Sequence, residues 1–420
     1  SWLGLDPVGE VARGADPQGL DAALAACVST AATLPPSMPL ARTLTVDATR
    51  YGDAGATEAQ ELAWAIATGV AYLRALEAEG VAPADAASTI GFRLTAVADQ
   101  FTTLAKMRAA RRFWARVLEA SGVEPARRAM AVHAVTSRAM YSRRDPWVNM
   151  LRATTAALGA GVGGADAITV LPFDDAIGVT DGFGRRTARN TQLLLLEESH
   201  LAKVVDPAAG SWFVESLTNR LAATAWESFQ RVEGGGGIGA ALADGSVAAA
   251  IDDAWNERLG RLATRRDPLT GVSEFPLLDE GALDRADRPA DAGLPVRRLA
   301  APFEALRDAA DRATAASGAR PAVFLAALGD LAVHTTRSTW ITNFLAVGGV
   351  AAIGAEDDGS QSPLEAEARF SASGSPVAVI CSSDAVYAER AAATATALKE
   401  AGAAKVVLAG APGELRAELD

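Results

Sequence analysis

Five short apolar runs recur along the first half of this chain, and the last of them leads into the stretch Thr169-Val-Leu-Pro-Phe-Asp-Asp-Ala176. The runs lie at residues 2–5, 43–48, 90–94, 130–136 and 167–172. Amphipathic helical patterns lie between or after them, at residues 57–78, 100–121, 147–158 and 184–198. Apolar runs that recur in this way with helices between them are typical of βα units and a parallel sheet. The stretch therefore marks the fifth predicted strand.

Five parallel strands make most of a (β/α)8 barrel, or TIM barrel, but not all of it. An incomplete barrel leaves strand edges unpaired, so we expect the missing strands to belong to a part of the gene product that this sequence does not contain. The chain starts without a methionine and without a signal-peptide pattern, which agrees with this expectation. Residues 1–232 are predicted to be the C-terminal part of the barrel.

The second half of the chain has a different pattern. Glycines at positions 234–237 end a helical pattern at residues 217–232, and residues 265–300 are rich in Asp, Arg and Pro. Residues 233–320 are therefore predicted to be a helical and extended linker that wraps a surface. Residues 321–420 are predicted to form a flavodoxin-like, doubly wound domain that lacks its fifth strand. Its predicted strands are 322–328, 350–353, 377–381 and 405–409, and its predicted helices are 338–347 and 385–401.

Composition excludes several classes of protein. The net charge of −12 argues against a nucleic-acid-binding surface, which needs a basic face. The two cysteines, Cys27 and Cys381, cannot build a disulfide framework or a cysteine metal site, which fits a reducing cytoplasm. No apolar run reaches the length of about 18 residues that a membrane-spanning helix needs. We expect a cytoplasmic protein that contacts neither membrane nor nucleic acid.

Three longer motifs carry a resemblance to a known family. Residues 104–111 read Leu-Ala-Lys-Met-Arg-Ala-Ala-Arg and are followed by Trp114; residues 144–149 read Arg-Asp-Pro-Trp-Val-Asn; residues 205–211 read Val-Asp-Pro-Ala-Ala-Gly-Ser, after Ala-Arg-Asn-Thr-Gln at 188–192. With these motifs the chain resembles the acyl-CoA mutases that use adenosylcobalamin. Within that family it is most similar to the small, non-catalytic chains of heterodimeric methylmalonyl-CoA mutases.

The resemblance implies where substrate would bind. In catalytic chains a histidine that contacts the substrate thioester carbonyl stands in the slot of Thr169, and an asparagine stands in the slot of Leu171. A substrate-binding glutamine stands in the slot of Val135, and His133, two residues earlier, is expected to be a packed histidine. Alternation along a strand places Thr169 and Leu171 on the side that faces the barrel axis. The resemblance thus implies no catalytic residue on this chain, and Leu171 and Val135 are expected to fill the axis.

The resemblance also implies a cobalamin site after the first strand of the second domain. Members of the family carry Asp-x-His-x-x-Gly there, in which the histidine ligates cobalt and the aspartate orients it. The best match in this chain is centred on His334, with Ala332 in the aspartate slot and Arg337 in the glycine slot. His334 is the one candidate cofactor-binding residue, within a degenerate motif, and no metal site is predicted.

Three sites have degenerated together: the one for the thioester carbonyl, the one for substrate binding and the one for cobalt ligation. Their combined loss indicates a duplicated chain that is kept for its fold and its interface. We expect an accessory subunit that stabilises a large catalytic partner chain, with adenosylcobalamin bound to that partner and none on this chain. Three alternatives stay open: a catalytic mutase with a shifted site, the small subunit of a related acyl-CoA mutase, and a chaperone for cofactor loading. An energy-driven chaperone needs a nucleotide-binding loop, and no Gly-x-x-x-x-Gly-Lys-Ser/Thr motif occurs here.

Overall fold

The structure, a computed structural model, describes residues 2–32, 41–289, 292–356 and 358–412. The chain divides into two compact units. The first comprises Ser1–Arg266 and Leu283–Leu299, and the second comprises Asp267–Ala282 and Ala300–Asp420. The two units are described separately below.

The first unit is an α/β fold built on a curled, five-stranded parallel sheet, which is half of a barrel. The strands pair in chain order, so each βα unit adds one neighbour to the sheet. All five predicted strands are present. They are β1 (Trp2–Leu5), β2 (Arg42–Asp47), β3 (Ile90–Ala96), β4 (Ala131–Thr136) and β5 (Ala167–Thr169).

Helices cover the convex side of this sheet. Two long ones start at well-formed caps. A capping box of Thr57 and Gln60 precedes the helix Glu58–Ala78, and the Asp99 carboxylate accepts a hydrogen bond from the backbone of the first turn of the helix Gln100–Ala120. The helices are α1 (Pro7–Ala12), α2 (Leu20–Ala32), α3 (Thr49–Asp53), α4 (Glu58–Ala78), α5 (Pro83–Thr89), α6 (Gln100–Ala120), α7 (Val148–Val162), α8 (Gly182–Leu193), α9 (Trp212–Gly234), α10 (Gly237–Ala243) and α11 (Ser246–Ala263).

Close packing between sheet and helices depends on a glycine in α4. The ring of Phe92 in β3 meets the indole of Trp114 in α6 edge to face, with centroids 4.8 Å apart. A Cβ atom on Gly69 would lie 2.8 Å from each of these two rings, so only glycine lets α4 approach them. Alternate residues of the central strands, such as Leu94, are buried in this core. The other face of the sheet is thereby free to carry a different set of side chains.

The second unit holds a four-stranded parallel sheet in the order β7-β6-β8-β9. Its side chains form two clusters, one on each face of the sheet. The elements are α12 (Ala301–Ser317), β6 (Ala322–Ala327), α13 (Leu331–Val347), β7 (Ala351–Ile353), α14 (Pro363–Ser373), β8 (Val377–Cys381), α15 (Asp384–Glu400) and β9 (Lys405–Leu408).

Several elements differ from the sequence-based expectation. The fifth strand ends at Thr169 instead of residue 172, because the backbone beyond it bonds to side chains. The helix that follows β6, α13, begins at Leu331 and not at residue 338. The apolar runs gave no sign of α14, and α9 is longer at both ends than residues 217–232. The predicted domain boundaries stay predictions.

Two expectations from composition concern the whole chain. Among the helices that the structure describes, none is both long and apolar enough to cross a membrane. Cys27 and Cys381 are free thiols, the first half-buried in α2 and the second buried at the end of β8. Neither contributes to a disulfide.

Candidate functional site

The concave face of the first sheet carries a row of polar side chains. The parallel register places Asp47 of β2 beside Arg93 of β3, and Arg93 beside His133 of β4. Arg93 donates to the Asp47 carboxylate at 2.8 Å, and Arg13, which follows α1, donates to the same oxygen at 3.0 Å. The row is therefore a carboxylate held by two guanidinium groups, next to an imidazole.

His133 and Thr169 lie together, as neighbours on two paired strands. The Nε2 atom of His133 is 2.8 Å from the Thr169 hydroxyl oxygen. Burial lowers the pKa of His133, the nearby Arg93 cation lowers that pKa further, and Asp47 opposes both effects. The neutral form of the ring is therefore favoured, and the half-buried ring is held by Thr169.

The indole of Trp2 lies across the middle of this face. It meets the His133 ring edge to face, with centroids 5.8 Å apart. A Cβ atom on Gly91 of β3 would overlap the indole ring, so the absence of a side chain at Gly91 makes the space that Trp2 occupies. Trp2 from β1 thus extends to Gly91 of β3 and His133 of β4 and fills this part of the concave face, a role that the sequence did not indicate.

The two residues expected to fill the axis behave differently from each other. Val135 is buried at the end of β4, two residues after His133. Leu171 lies beyond the end of β5, so strand alternation does not decide its direction, and its place on the barrel axis stays a prediction. Its backbone N–H donates to the Thr136 hydroxyl at 2.8 Å, and its carbonyl accepts from Tyr141 at 2.9 Å. Its half-buried side chain packs against the main core.

The carboxyl ends of the strands are crossed by residues 283–289 and 292–299, which we name the strap. Backbone N–H groups of the strap donate to carbonyls in the segments that follow β1, β2 and β4, through Leu294 to Ala12, Arg297 to Asp53 and Leu299 to Ala139. Arg285 and Arg288 of the strap bind the carboxylates of Asp174 and Asp175, which follow β5; Arg288 does so with two bonds of 2.7 and 3.0 Å. In TIM barrels this end of the sheet carries the active site, and here the strap lies over it.

A buried ion pair supports the end of β3. The Lys106 ammonium on α6 donates to Glu61 of α4 and to the Thr95 hydroxyl, each at 2.8 Å, and the Thr95 backbone N–H donates to Glu61 at 2.6 Å. Both charged side chains are buried to within 1% of full burial. Lys106 belongs to a motif that carries the family resemblance, and its pattern gave no sign of a buried lysine.

Asp53, at the end of α3, connects the segment after β2 to the segment after β4 at the carboxyl end of the sheet. One of its oxygens, Oδ1, accepts hydrogen bonds from the Ser137 hydroxyl at 2.7 Å and the Arg138 backbone at 2.9 Å. Burial raises the pKa of the Asp53 carboxyl to about 6, although both hydrogen bonds oppose the rise. A folded-state pKa above the ordinary value near 4 means that the fold binds this proton more tightly than the unfolded chain. The resulting stability is complete below about pH 4 and is lost as the pH rises through about 6.

The Asp53→Asn variant is therefore expected to gain stability relative to the wild type as the pH rises. The amide keeps Oδ1 as the acceptor for both bonds and cannot ionise. We expect the difference in free energy of unfolding to shift by about 1–2 kcal/mol in favour of the variant between about pH 4.5 and pH 7.5. Urea unfolding across this range measures it. As a control, Asp181→Asn should show almost no change across this range, because the Gly184 backbone N–H lowers the pKa of Asp181 and the carboxyl is ionised in both the folded and the unfolded chain above about pH 4.5. A difference for Asp53→Asn that does not change with pH contradicts the prediction.

In the second unit, the residues around His334 do not fit the cobalamin site that the resemblance implies. His334 lies in the first turns of α13, is wholly buried, and contacts the Ser338 hydroxyl 3.2 Å from its Nδ1 atom. Ala332 offers no carboxylate to orient an imidazole. Arg337, in the glycine slot, donates to Asp384 of α15 and lies over the ring of Tyr387. Ligation by His334 stays a prediction.

Metal chemistry finds no other support in the described parts of the chain. Within them, no group of three or more His, Cys, Asp and Glu side chains is placed to hold a metal ion. The concave face of the first unit offers the Asp47 carboxylate with its two guanidinium groups, the His133 imidazole and the Thr169 hydroxyl. It lacks the imidazole and amide at residues 169 and 171 that the resemblance implies for catalytic chains.

The sequence was compared with known families and proteins. A family model described as "Methylmalonyl-CoA mutase" matches residues 4–317. The chain is 52% identical over 97% of its length to the methylmalonyl-CoA mutase small subunit of Streptomyces virginiae, of which it covers 66%. It is 52% identical over 88% of its length to a probable methylmalonyl-CoA mutase small subunit of Mycobacterium tuberculosis, of which it covers 59%. It is 41% identical over 97% of its length to the methylmalonyl-CoA mutase small subunit of Propionibacterium freudenreichii, of which it covers 63%. The chain thus spans less than two thirds of the length of these curated relatives.

Proposed function

Because this chain belongs to the methylmalonyl-CoA mutase family, we propose that it is the accessory small subunit of a heterodimeric mutase. The holoenzyme interconverts succinyl-CoA and methylmalonyl-CoA by a radical rearrangement, and adenosylcobalamin, bound to the large partner chain, supplies the radical. This chain stabilises that partner through a shared interface. The relatives with the name "small subunit" support the assignment.

The observation that carries the accessory role is the filled concave face. Trp2 lies over Gly91 and against His133, where a barrel that binds a substrate along its axis needs open space. Thr169 is hydrogen-bonded to His133, and the Leu171 backbone is held by Thr136 and Tyr141. The Thr169 side chain, which would have to reach a thioester, is thus bound to His133, and the backbone at Leu171 is fixed in place.

The proposed fold extends the observed one. Residues 1–232, which lie within the first unit, are the C-terminal part of a TIM barrel, and residues 233–320 are the linker. An apolar cavity of about 540 Å³ beside the free edge of β5, lined by Ile168, Leu196 and Val204 among others, supports a place for further barrel strands. The order β7-β6-β8-β9 agrees with the first four strands of a flavodoxin-like sheet over residues 321–420.

Co-purification tests the proposed function. The chain is isolated from its source cell, and the mass of any co-purifying chain is measured. We expect a larger chain of the same family, a cytoplasmic complex, and succinyl-CoA turnover with adenosylcobalamin that requires the larger chain. Turnover by this chain alone would refute the proposal and favour a catalytic mutase with a shifted site.

Thr169→His is not expected to create a mutase. The variant restores an imidazole, but Val135 offers no hydrogen bond and no asparagine stands at residue 171. Each missing contact of this kind costs on the order of 10²–10³ in rate. The variant also removes the hydroxyl that satisfies His133. The assay is succinyl-CoA turnover by the purified variant with added adenosylcobalamin and no large chain. Turnover above that of the wild-type chain would contradict the expectation.

A further inference from the structure

The carboxyl ends of β6 and β8 form the point where the chain order of the second sheet reverses. The helix that follows β6, α13, packs on one face of the sheet through Ile341. The helix that follows β8, α15, packs on the other face through Tyr387 and Ala391. The crevice that opens between two such strands is where doubly wound folds bind their ligands.

One side chain spans this crevice. Arg337 of α13 donates through Nη2 to the carboxylate of Asp384, the first residue of α15, and its guanidinium carbon lies 4.7 Å from the centroid of the Tyr387 ring. On the far side, a Cβ atom on Gly410 would be 3.3 Å from Nη1. Nη1 is shielded from solvent and has no hydrogen-bond partner among the described residues. The guanidinium thus fills the space between α15 and the Gly410 backbone.

The ring beneath Arg337 is itself fixed to the strand ends. The Tyr387 hydroxyl accepts a hydrogen bond from the Ser382 backbone at 3.0 Å and lies 2.9 Å from the Ala409 carbonyl, to which it donates. A cation over such a ring and in contact with a carboxylate is held from two sides. We propose that Arg337 seals this crevice, joining α13 to α15 and shutting out a cofactor with a nucleotide tail.

This inference rests on the proposed function, because it gives the physical means by which the second unit does without the family's cofactor. The chain contains a natural reporter for it. Cys381 is the last residue of β8 and is buried. Burial raises the pKa of its thiol to about 12, and the thiol lies in one apolar cluster with Ile341 of α13 and Ala409 at the strand ends. Reaction of this thiol therefore requires the crevice to open.

Thiol labelling of the full chain tests the seal. In a Cys27→Ser background, Cys381 is the single thiol, and its reaction with an aromatic disulfide reagent is followed by absorbance. We expect Arg337→Gly to speed labelling about tenfold through local opening, even though loss of the cation makes the thiol less acidic. The matched control is Arg369→Ala, which removes an arginine of α14 that donates to the Asp358 and Gly354 carbonyls. Its labelling rate should stay close to that of the parent chain.

Two further measurements define the outcome. Asp384→Ala, which keeps Arg337 but removes the carboxylate that it binds, should speed labelling by a smaller factor. It serves in place of Arg337→Gly if that variant does not fold. Added cobalamin should slow labelling of Arg337→Gly and leave the parent chain unchanged. Labelling of both variants at the parent rate, or protection of the parent thiol by cobalamin, would overturn the inference. Failure of the proposed function would instead appear as turnover by the chain alone, with the labelling rates unaffected.

Discussion

Lys106→Met is expected to lower the free energy of unfolding of the first unit by about 3–5 kcal/mol, which is a large part of the stability of a typical domain. The substitution leaves the Glu61 carboxylate buried without its cation, beside the Thr95 hydroxyl and backbone N–H. Because Glu61 is 1% exposed, water cannot replace the ammonium. Urea unfolding followed by circular dichroism measures the loss.

Two companion variants separate the buried charge from other effects of the substitution. Arg116→Met on the same helix removes an exposed partner of Glu119 and should cost at most about 1 kcal/mol. The double variant Glu61→Gln with Lys106→Met removes both charges and should recover part of the loss. If Lys106→Met costs no more than Arg116→Met, the ion pair does not support β3 in the way described.

Gly91→Ala is expected to cost about 1–3 kcal/mol, because its methyl group needs space that the Trp2 indole occupies. The effect should depend on Trp2. In a Trp2→Ala background the same substitution meets an open face and should cost much less, so the two changes are strongly non-additive. Equilibrium unfolding of the wild type, both single variants and the double variant gives the coupling energy.

A glycine in open space provides the control for this cycle. Gly260 lies within α11, and a Cβ atom there would have no neighbour within 4 Å. Gly260→Ala should therefore be neutral or stabilising by about 0.5–1 kcal/mol. Additive costs for Gly91→Ala and Trp2→Ala would mean that the indole does not lie against Gly91, and the account of the filled concave face would then fail.

The sequence predicted the five strands because each apolar run is long enough to bury one face against the helices. It misplaced the end of the fifth strand because the run continues through Leu171, whose backbone bonds to Thr136 and Tyr141 instead of to a strand. Hydrophobicity alone does not reveal which group a backbone bonds to.

The start of α13 was misplaced for another reason. The resemblance placed the degenerate cobalamin motif, centred on His334, ahead of the predicted helix, yet residues 331–337 contain neither glycine nor proline. In the structure the Asp358 carboxylate accepts a hydrogen bond from the Leu331 backbone at 2.9 Å, and the helix begins there. Residues 331–337 themselves are compatible with a helix, whereas the resemblance did not indicate one there.

The candidate site was only partly accessible from the sequence. Thr169, Val135 and His133 were found because they occupy slots of a known motif. Trp2 and Gly91 are far apart in the chain, and their contact depends on the curvature and register of the sheet. The Asp47–Arg93 pair could have been recognised from the sequence as part of a site, because each residue stands at or near the end of an apolar run, where a charged residue is unusual.

The strap has a consequence for how this protein is made. Its hydrogen bonds reach back to the loops after β1 and β2, so a ribosome has synthesised nearly the whole first unit before the strap leaves the exit tunnel. During that interval the rim of the nascent sheet is bare, with the carboxylates of Asp174 and Asp175 not yet bound to the strap arginines. Contacts between such distant positions form late. The nascent chain therefore passes through a stage in which these five strands have been made but are not yet tied together by the strap, and in that interval the rim is open to chaperones and proteases.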